Sequence, residues 1–299
     1  MKKFAILSDS SCNLNSEQMK EYGIDAILSM HFYVNDKEYD ASCDWTSFGA
    51  KEYYDTIRQG CSLRSSQVSS AAYERAFRSC LEDGRDILSL SCSEALSSSV
   101  KESIVARDRL QKEFPDAKIY CIDAHNCTYS LAMILIEAAK KRDAGESIDD
   151  VAAWIEAYKQ HFNEVGTVDK LTYLRNAGRV SASAAFFGGV FSVKPIVVYD
   201  EVGHNVAIEK VRGRKASLDR VAEYIKQYGD LDTNNNVCIA HADCLEDAKE
   251  VGKKVQELFE GKKINFYYGY IEPGVGSAVG PGTIIASFYG DPKMRSLNH

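Results

Sequence analysis

The sequence predicts an α/β protein of two domains, a parallel-sheet domain followed by an α/β domain with a mixed sheet, and two domains offer a ligand cleft between them. Three observations predict it. The chain has 299 residues, more than one domain of roughly 100 to 200 usually takes. Short, wholly apolar runs alternate with amphipathic stretches in its first half. Its second half opens with two strand-like runs around a glycine-containing turn.

In the first half, FAIL at 4–7, DILSL at 86–90 and KIYCI at 118–122 are expected strands, buried on both faces. A helix beginning near Ser69 or Ser70 would place Tyr73, Phe77, Cys80 and Leu81 on one face, with Gly84 closing it. A second helix carries Val100, Ile104 and Leu110, and a third runs from about Thr128 to Arg142. Strand, helix, strand in that order implies a parallel sheet with covered faces. Ser147, with Asp150 three residues on, is a candidate N-cap for a helix that bridges the domains. Beyond it, VKPIVVYD and VAIEKVRG flank EVGHN as an antiparallel hairpin. Helices on Leu218, Val221, Ala222, Ile225 and on Ala248, Val251, Val255, Leu258 enclose the strand NVCIAHA, and strands near 264–270 and 283–289 close the chain. The expected domains are 1–163 and 164–299.

Composition narrows the function. The net charge of -7, with 36 basic and 43 acidic residues and no like-charge run, argues against nucleic acid. The opening MKKFAILSDSS is too short in apolar residues for a signal peptide, and no stretch approaches the roughly 18 to 20 of a membrane span, so a cytoplasmic protein without an integral membrane segment is expected. Nine cysteines with no CxxC support neither a disulfide framework nor a zinc ribbon. Cys121, His125 and Cys127 are a weak metal candidate, outweighed by their place at a strand-to-helix junction.

Three segments gather hydroxyls or glycines where strands should end. Ser65, Ser66, Ser69 and Ser70 precede a helix, as do Ser97, Ser98 and Ser99, and helix starts offer free N–H groups to a carboxylate or phosphate. Plain N-capping explains any one of these serines. Their recurrence along one sheet edge favours a shared anion site. The third segment, 272–288, holds Gly274, Gly276, Gly280 and Gly282, spaced for positive φ or close backbone approach but not for a dinucleotide fingerprint. No P-loop and no GxSxG elbow is present. Asp9 and Asp123, at strand ends, are candidate acid–base groups, although turn-capping explains such residues more often.

LSDSSCNL at 7–14, SSQVS at 65–69, LSSS at 96–99, LRNAGRVSASAAFFGGVFSVKPIV at 174–197, VRGRKASL at 211–218 and VGPGT at 279–283 together resemble the DegV family over nearly the whole chain. The resemblance implies a non-catalytic protein that holds a long-chain fatty acid in a tunnel between its domains, with no other cofactor. It also implies a partner, an ATP-dependent fatty acid kinase subunit that receives the acid for acyl-phosphate formation, and allows transient membrane contact. By the same resemblance Ser65 and Ser97 bind the carboxylate, and Ser66, Ser98, Arg179, Gly280 and Gly282 are additional head-group candidates. Arg212 and Arg214 match a partner surface, and Phe186, Phe187 and Phe191 are candidates for the tunnel wall. The sequence departs from the family at Ala278, where many members carry histidine, and at Ala177 of the Gly-Gly-Arg stretch. The alternative is an enzyme acting on a small phosphorylated or carboxylated metabolite through Asp9 or Asp123, and a third reading is lipid storage or transport without a kinase.

Overall fold

The computed structural model describes residues 4–61, 63–180 and 193–297. Its first half runs β1 (Phe4–Asp9), α1 (Ser16–Glu21), β2 (Ala26–Leu28), β3 (Met30–Val34), β4 (Lys37–Ala41), α2 (Ala50–Arg58), β5 (Arg64–Ser66), α3 (Ser70–Glu82), β6 (Asp86–Ser91), α4 (Ser99–Leu110), β7 (Ile119–Asp123), α5 (Thr128–Asp143) and α6 (Ile148–Tyr158). It continues with β8 (Phe162–Thr167), α7 (Thr172–Asn176), β9 (Val193–Tyr199), β10 (Asn205–Arg212), α8 (Arg214–Tyr228), β11 (Asn236–His241), α9 (Leu245–Leu258), β12 (Asn265–Tyr270), α10 (Pro273–Val279) and β13 (Ile284–Tyr289).

The four strands β2-β1-β6-β7 form one parallel sheet. Every residue of β1 is buried, as expected of an apolar run covered on both faces. The first amphipathic helix takes the predicted face: Tyr73, Phe77, Cys80 and Leu81 are the buried residues of α3, and Gly84 follows at φ +71°. In α4, Val100 and Leu110 are buried while Ile104 is half-buried. Ser147 caps α6, its hydroxyl oxygen accepting from the Asp150 N–H. The reciprocal half of a capping box is not made, because the Asp150 carboxylate accepts the Ser147 hydroxyl instead, at 2.6 Å.

The second sheet is mixed, in the order β10-β9-β8-β13-β11-β12, with β11 and β12 parallel and the other neighbours antiparallel. Helices α8 and α9 cover its outer face through a core of their own. Helix α5 lies between the two sheets, touching β1 and β6 on one side and β8, β11 and β13 on the other. That position explains why Tyr129, Leu131, Met133, Ile134 and Leu135 are all buried: a helix enclosed on both sides needs no polar stripe in its middle. One hydrophobic cluster runs through α5 from the first sheet to the inner face of the second.

Two local expectations change. The helix starts at Ser70 as expected, but Ser65 and Ser66 ahead of it are not loop residues. They form β5 of a third, antiparallel sheet, β4-β3-β5, in which Ser65 pairs with Phe32 and Ser66 with His31. The hairpin beneath it turns on Asn35 and Asp36, both at positive φ, as a two-residue primed turn requires. The glycine segment is not a loop throughout, since Pro273–Val279 is helical. Pro273 opens α10 and the Glu272 carboxylate accepts from the N–H groups of Gly274 and Val275, a start signal strong enough to tolerate glycine. Close packing accounts for Gly276, where a Cβ would lie 2.7 Å from the Tyr54 hydroxyl. Only Gly280 and Gly282, beyond the helix, take positive φ. Among the described residues no helix is long and apolar enough to cross a membrane.

Candidate functional site

The two serine segments are held side by side. The Ser69 hydroxyl caps α3 by accepting from the Ala72 N–H. The Val68 N–H donates to Ser99 Oγ at 3.4 Å, and the Ser70 N–H donates to the Glu102 carboxylate at 2.9 Å. Ser99 Oγ in turn lies 3.0 Å from Ser97 Oγ. The α3–α4 contact therefore brings together residues some thirty positions apart in sequence, one segment following the antiparallel strand β5 and the other the parallel strand β6.

Ser65, Ser66, Ser97 and Ser98 all line one cleft, facing the α10 residues Gly274, Val275 and Ala278 and the side chain of Arg179. It encloses about 750 Å³ of unfilled space, solvent at its mouth included. From the α10 side the Ser277 hydroxyl reaches Ser65 Oγ at 3.2 Å. Arg179 is the one cation among the described lining residues, and its Nε donates to the Leu96 carbonyl at 3.1 Å beside Ser97. The mouth thus offers neutral hydroxyls and one guanidinium, a set suited to a small anionic head group. The β9–β10 turn packs tightly on the loop after β6, where a Cβ on Gly203 would overlap Ser93.

Inside, the lining becomes mixed. Glu164, Tyr199, Thr128, Cys92 and Cys127 stand beside Leu174, Val279 and Ile285. Burial pushes the Glu164 carboxyl up to about 7, although four hydroxyl contacts pull the other way. The neighbouring Cys127 and burial both push the Cys92 thiol well up, so it rests as a thiol. Asp9, fully buried behind the serines, accepts from the N–H groups of Ser11 and Cys92 and from the Ser11 hydroxyl. Burial raises its carboxyl above the ordinary range. Asp123 accepts from the N–H groups of His125 and Glu94. Both aspartates cap turns, the role that sequence reasoning favoured.

Other candidates lie elsewhere. Gly280 and Gly282 are outside the described cleft lining, with Gly280 backed by the Tyr173 ring and Gly282 by Asp169. Arg212 is exposed at the end of β10. Arg214 is half-buried and paired with Asp247 on α9 at 2.6 Å, so much of its guanidinium is held inside the second domain's helical layer. Phe186, Phe187 and Phe191 lie outside the described residues. Among the described residues no group of three or more His, Cys, Asp or Glu could hold a metal ion. Sequence reasoning missed Ser277, Glu164, Tyr199 and Asn205. Ser277 sits in the segment already singled out for its glycines, whereas the glutamate of the mixed strand FNEVGT shows its burial only once α5 packs on it.

Comparison with known proteins gives the family and the fold. The model of the DegV family, described as "Uncharacterised protein, DegV family", matches residues 3–290. A DegV domain-containing protein of Clostridium perfringens is 32% identical over 295 residues, covering 98% of this chain and 99% of the relative. Another, from Clostridium acetobutylicum, is 30% identical, covering 95% and 98%. The chain belongs to the DegV family. Its fold is shared with the crystal structure of DegV from Bacillus subtilis, a fatty acid binding protein, at 20% identity and a TM-score of 0.82, covering 97% of this chain and 100% of that one. It is also shared with a stearic acid-binding protein of Eubacterium ventriosum at 23% identity and a TM-score of 0.84, covering 97% and 99%.

Proposed function

We propose that this protein binds a long-chain fatty acid in the cleft, with the carboxylate at Ser65 and Ser97 and with Ser66, Ser98 and Arg179 as further head-group contacts. The observation that carries this reading is the meeting of hydroxyls from two stitched serine segments at the mouth of one cleft, with Ser277 opposite them. A desolvated carboxylate needs donors, and hydroxyls supply them without a fixed countercharge. A tail of about fourteen methylenes at roughly 0.8 kcal/mol each offers on the order of 11 kcal/mol gross before ordering costs. The expected division at 163 and 164 falls inside β8 of the second sheet, so the domains would divide just ahead of Phe162, with Ser65 and Ser97 from the first and Arg179 and Ala278 from the second.

The finer role in this reading is presentation of the acid, within the cytoplasm, to a separate ATP-using kinase. Of the two arginines matched to a partner surface, Arg212 supports docking better than the ion-paired Arg214. Ala278 lines the cleft itself, so the imidazole that many relatives place there is replaced by a methyl group at the head-group end.

Organic extraction of the purified, never-refolded protein followed by mass spectrometry should find close to one fatty acid per chain. Absence of bound acid together with no uptake of palmitate or oleate would reject the proposal. The double substitution Ser65→Ala, Ser97→Ala should weaken fatty-acid binding at least about tenfold, the effect of roughly 1.4 kcal/mol from two lost hydrogen bonds. Unchanged affinity by calorimetry would remove these serines from the site.

A further inference from the structure

The inner end of the cleft does not match a plain hydrocarbon. A smaller cavity adjoins it, and the two share Glu164, Leu174, Tyr199, Asn205, Val279 and Ile285 as walls. Beyond this junction the smaller cavity is lined largely by Val168, Val197 and Val198, so an acyl chain entering from the serines has apolar space to reach on the far side. To reach it, the chain passes Glu164.

The surroundings of Glu164 show what that passage offers. Its Oε2 accepts from Thr128 Oγ1 at 2.6 Å, Ser130 Oγ at 2.9 Å and Ser287 Oγ at 3.2 Å. Its Oε1 accepts from the Tyr199 hydroxyl at 2.9 Å. Each carboxylate oxygen has about two lone-pair sites. Oε2 is therefore crowded, while Oε1 retains room for a donor. Methylenes laid against this group would leave that site unfilled and strip it of water, whereas a hydroxyl on the chain would fill it.

We infer that the cleft selects an acyl chain bearing a hydroxyl partway along its length, which donates to Glu164 Oε1 beside Tyr199 while the carboxylate remains at the serines. The inference rests on the fatty-acid reading above and names the class of acid. Glu164 is then a specificity-determining residue, because its removal changes which acid is preferred rather than whether acids bind.

Calorimetric titration of the delipidated full chain with palmitic acid and with monohydroxypalmitic acids substituted at successive carbons tests it. One positional isomer should bind at least about tenfold more tightly than palmitate, and Glu164→Leu should abolish that margin by weakening the isomer and strengthening palmitate, whose methylenes then meet no desolvated carboxylate. Because leucine among four hydroxyls could prevent folding, Glu164→Gln is titrated alongside. Its neutral amide oxygen is a weaker acceptor, and the margin should shrink several-fold. Equal binding of palmitate and every isomer, or a margin unaltered in the glutamine variant, overturns the inference. Failure of palmitate and all isomers to bind the wild type overturns the fatty-acid reading and this inference with it.

Discussion

Replacing Arg295 with leucine is expected to destabilise the protein by about 4 kcal/mol, since four buried acceptors lose their donor at roughly 1 kcal/mol each. Arg295 stands near the C-terminus on the 3-10 turn Pro292–Ser296, yet it is only 1% exposed. Its guanidinium donates to the carbonyls of His125 at 2.9 Å, Phe162 at 2.8 Å and Asp200 at 3.3 Å, and to Asn126 Oδ1 at 2.6 Å. It also lies 5.5 Å from the centre of the Tyr199 ring. One side chain thus ties the loop after β7 to the start of β8 and the end of β9. Burial lowers its pKa only to about 10, so the cation persists at neutral pH. Urea denaturation should show the loss as a reduced midpoint, and a change below about 1 kcal/mol would mean that water or a rearranged backbone replaces these bonds.

The second large effect is a pH dependence centred on Glu272. Burial raises this carboxyl from the usual 4.5 to about 8, against the opposing pull of the Gly274 and Val275 N–H donors. The folded state therefore holds its proton where the unfolded chain releases it. Stability from this group is full below about pH 4.5, falls as pH rises, and is lost by about pH 8, a span corresponding to on the order of 5 kcal/mol. Glu272→Gln cannot ionise. Measured by chemical denaturation at pH 5 and pH 8, the variant should therefore gain on the wild type as pH rises. A difference between the two proteins that stays constant with pH would show that Glu272 titrates alike in both states.

Most of the parallel sheet was legible because its strands are short apolar runs and its helices show a single buried face, as with Tyr73, Phe77, Cys80 and Leu81. The same holds for the hairpin at β9 and β10 and for the mixed character of the second sheet. The third sheet was not foreseen, although MHFYV alternates in burial and Asn-Asp follows it, because neighbouring polar residues hid a five-residue strand. Serine identity marked the cleft mouth. What periodicity could not reveal was depth, since Glu164 and Arg295 become buried only through contacts more than thirty and more than a hundred positions away in sequence.

The two tryptophans divide the molecule for optical work. Trp45 lies 5.6 Å from Tyr53, 6.2 Å from Tyr54 and 5.8 Å from Tyr270, ring centre to ring centre. Two of those tyrosines hold the start of α10, the Tyr53 hydroxyl donating to the Pro273 carbonyl and the Tyr54 hydroxyl to that of Ile271. Trp154 is set apart on α6, stacked on Tyr158 and flanked by Lys141. Intrinsic emission is therefore a sum of one indole coupled to the wall of the cleft and one anchored to the far layer. With Trp154 replaced by phenylalanine, the remaining fluorescence becomes a label-free gauge of how α10 settles when the cleft fills.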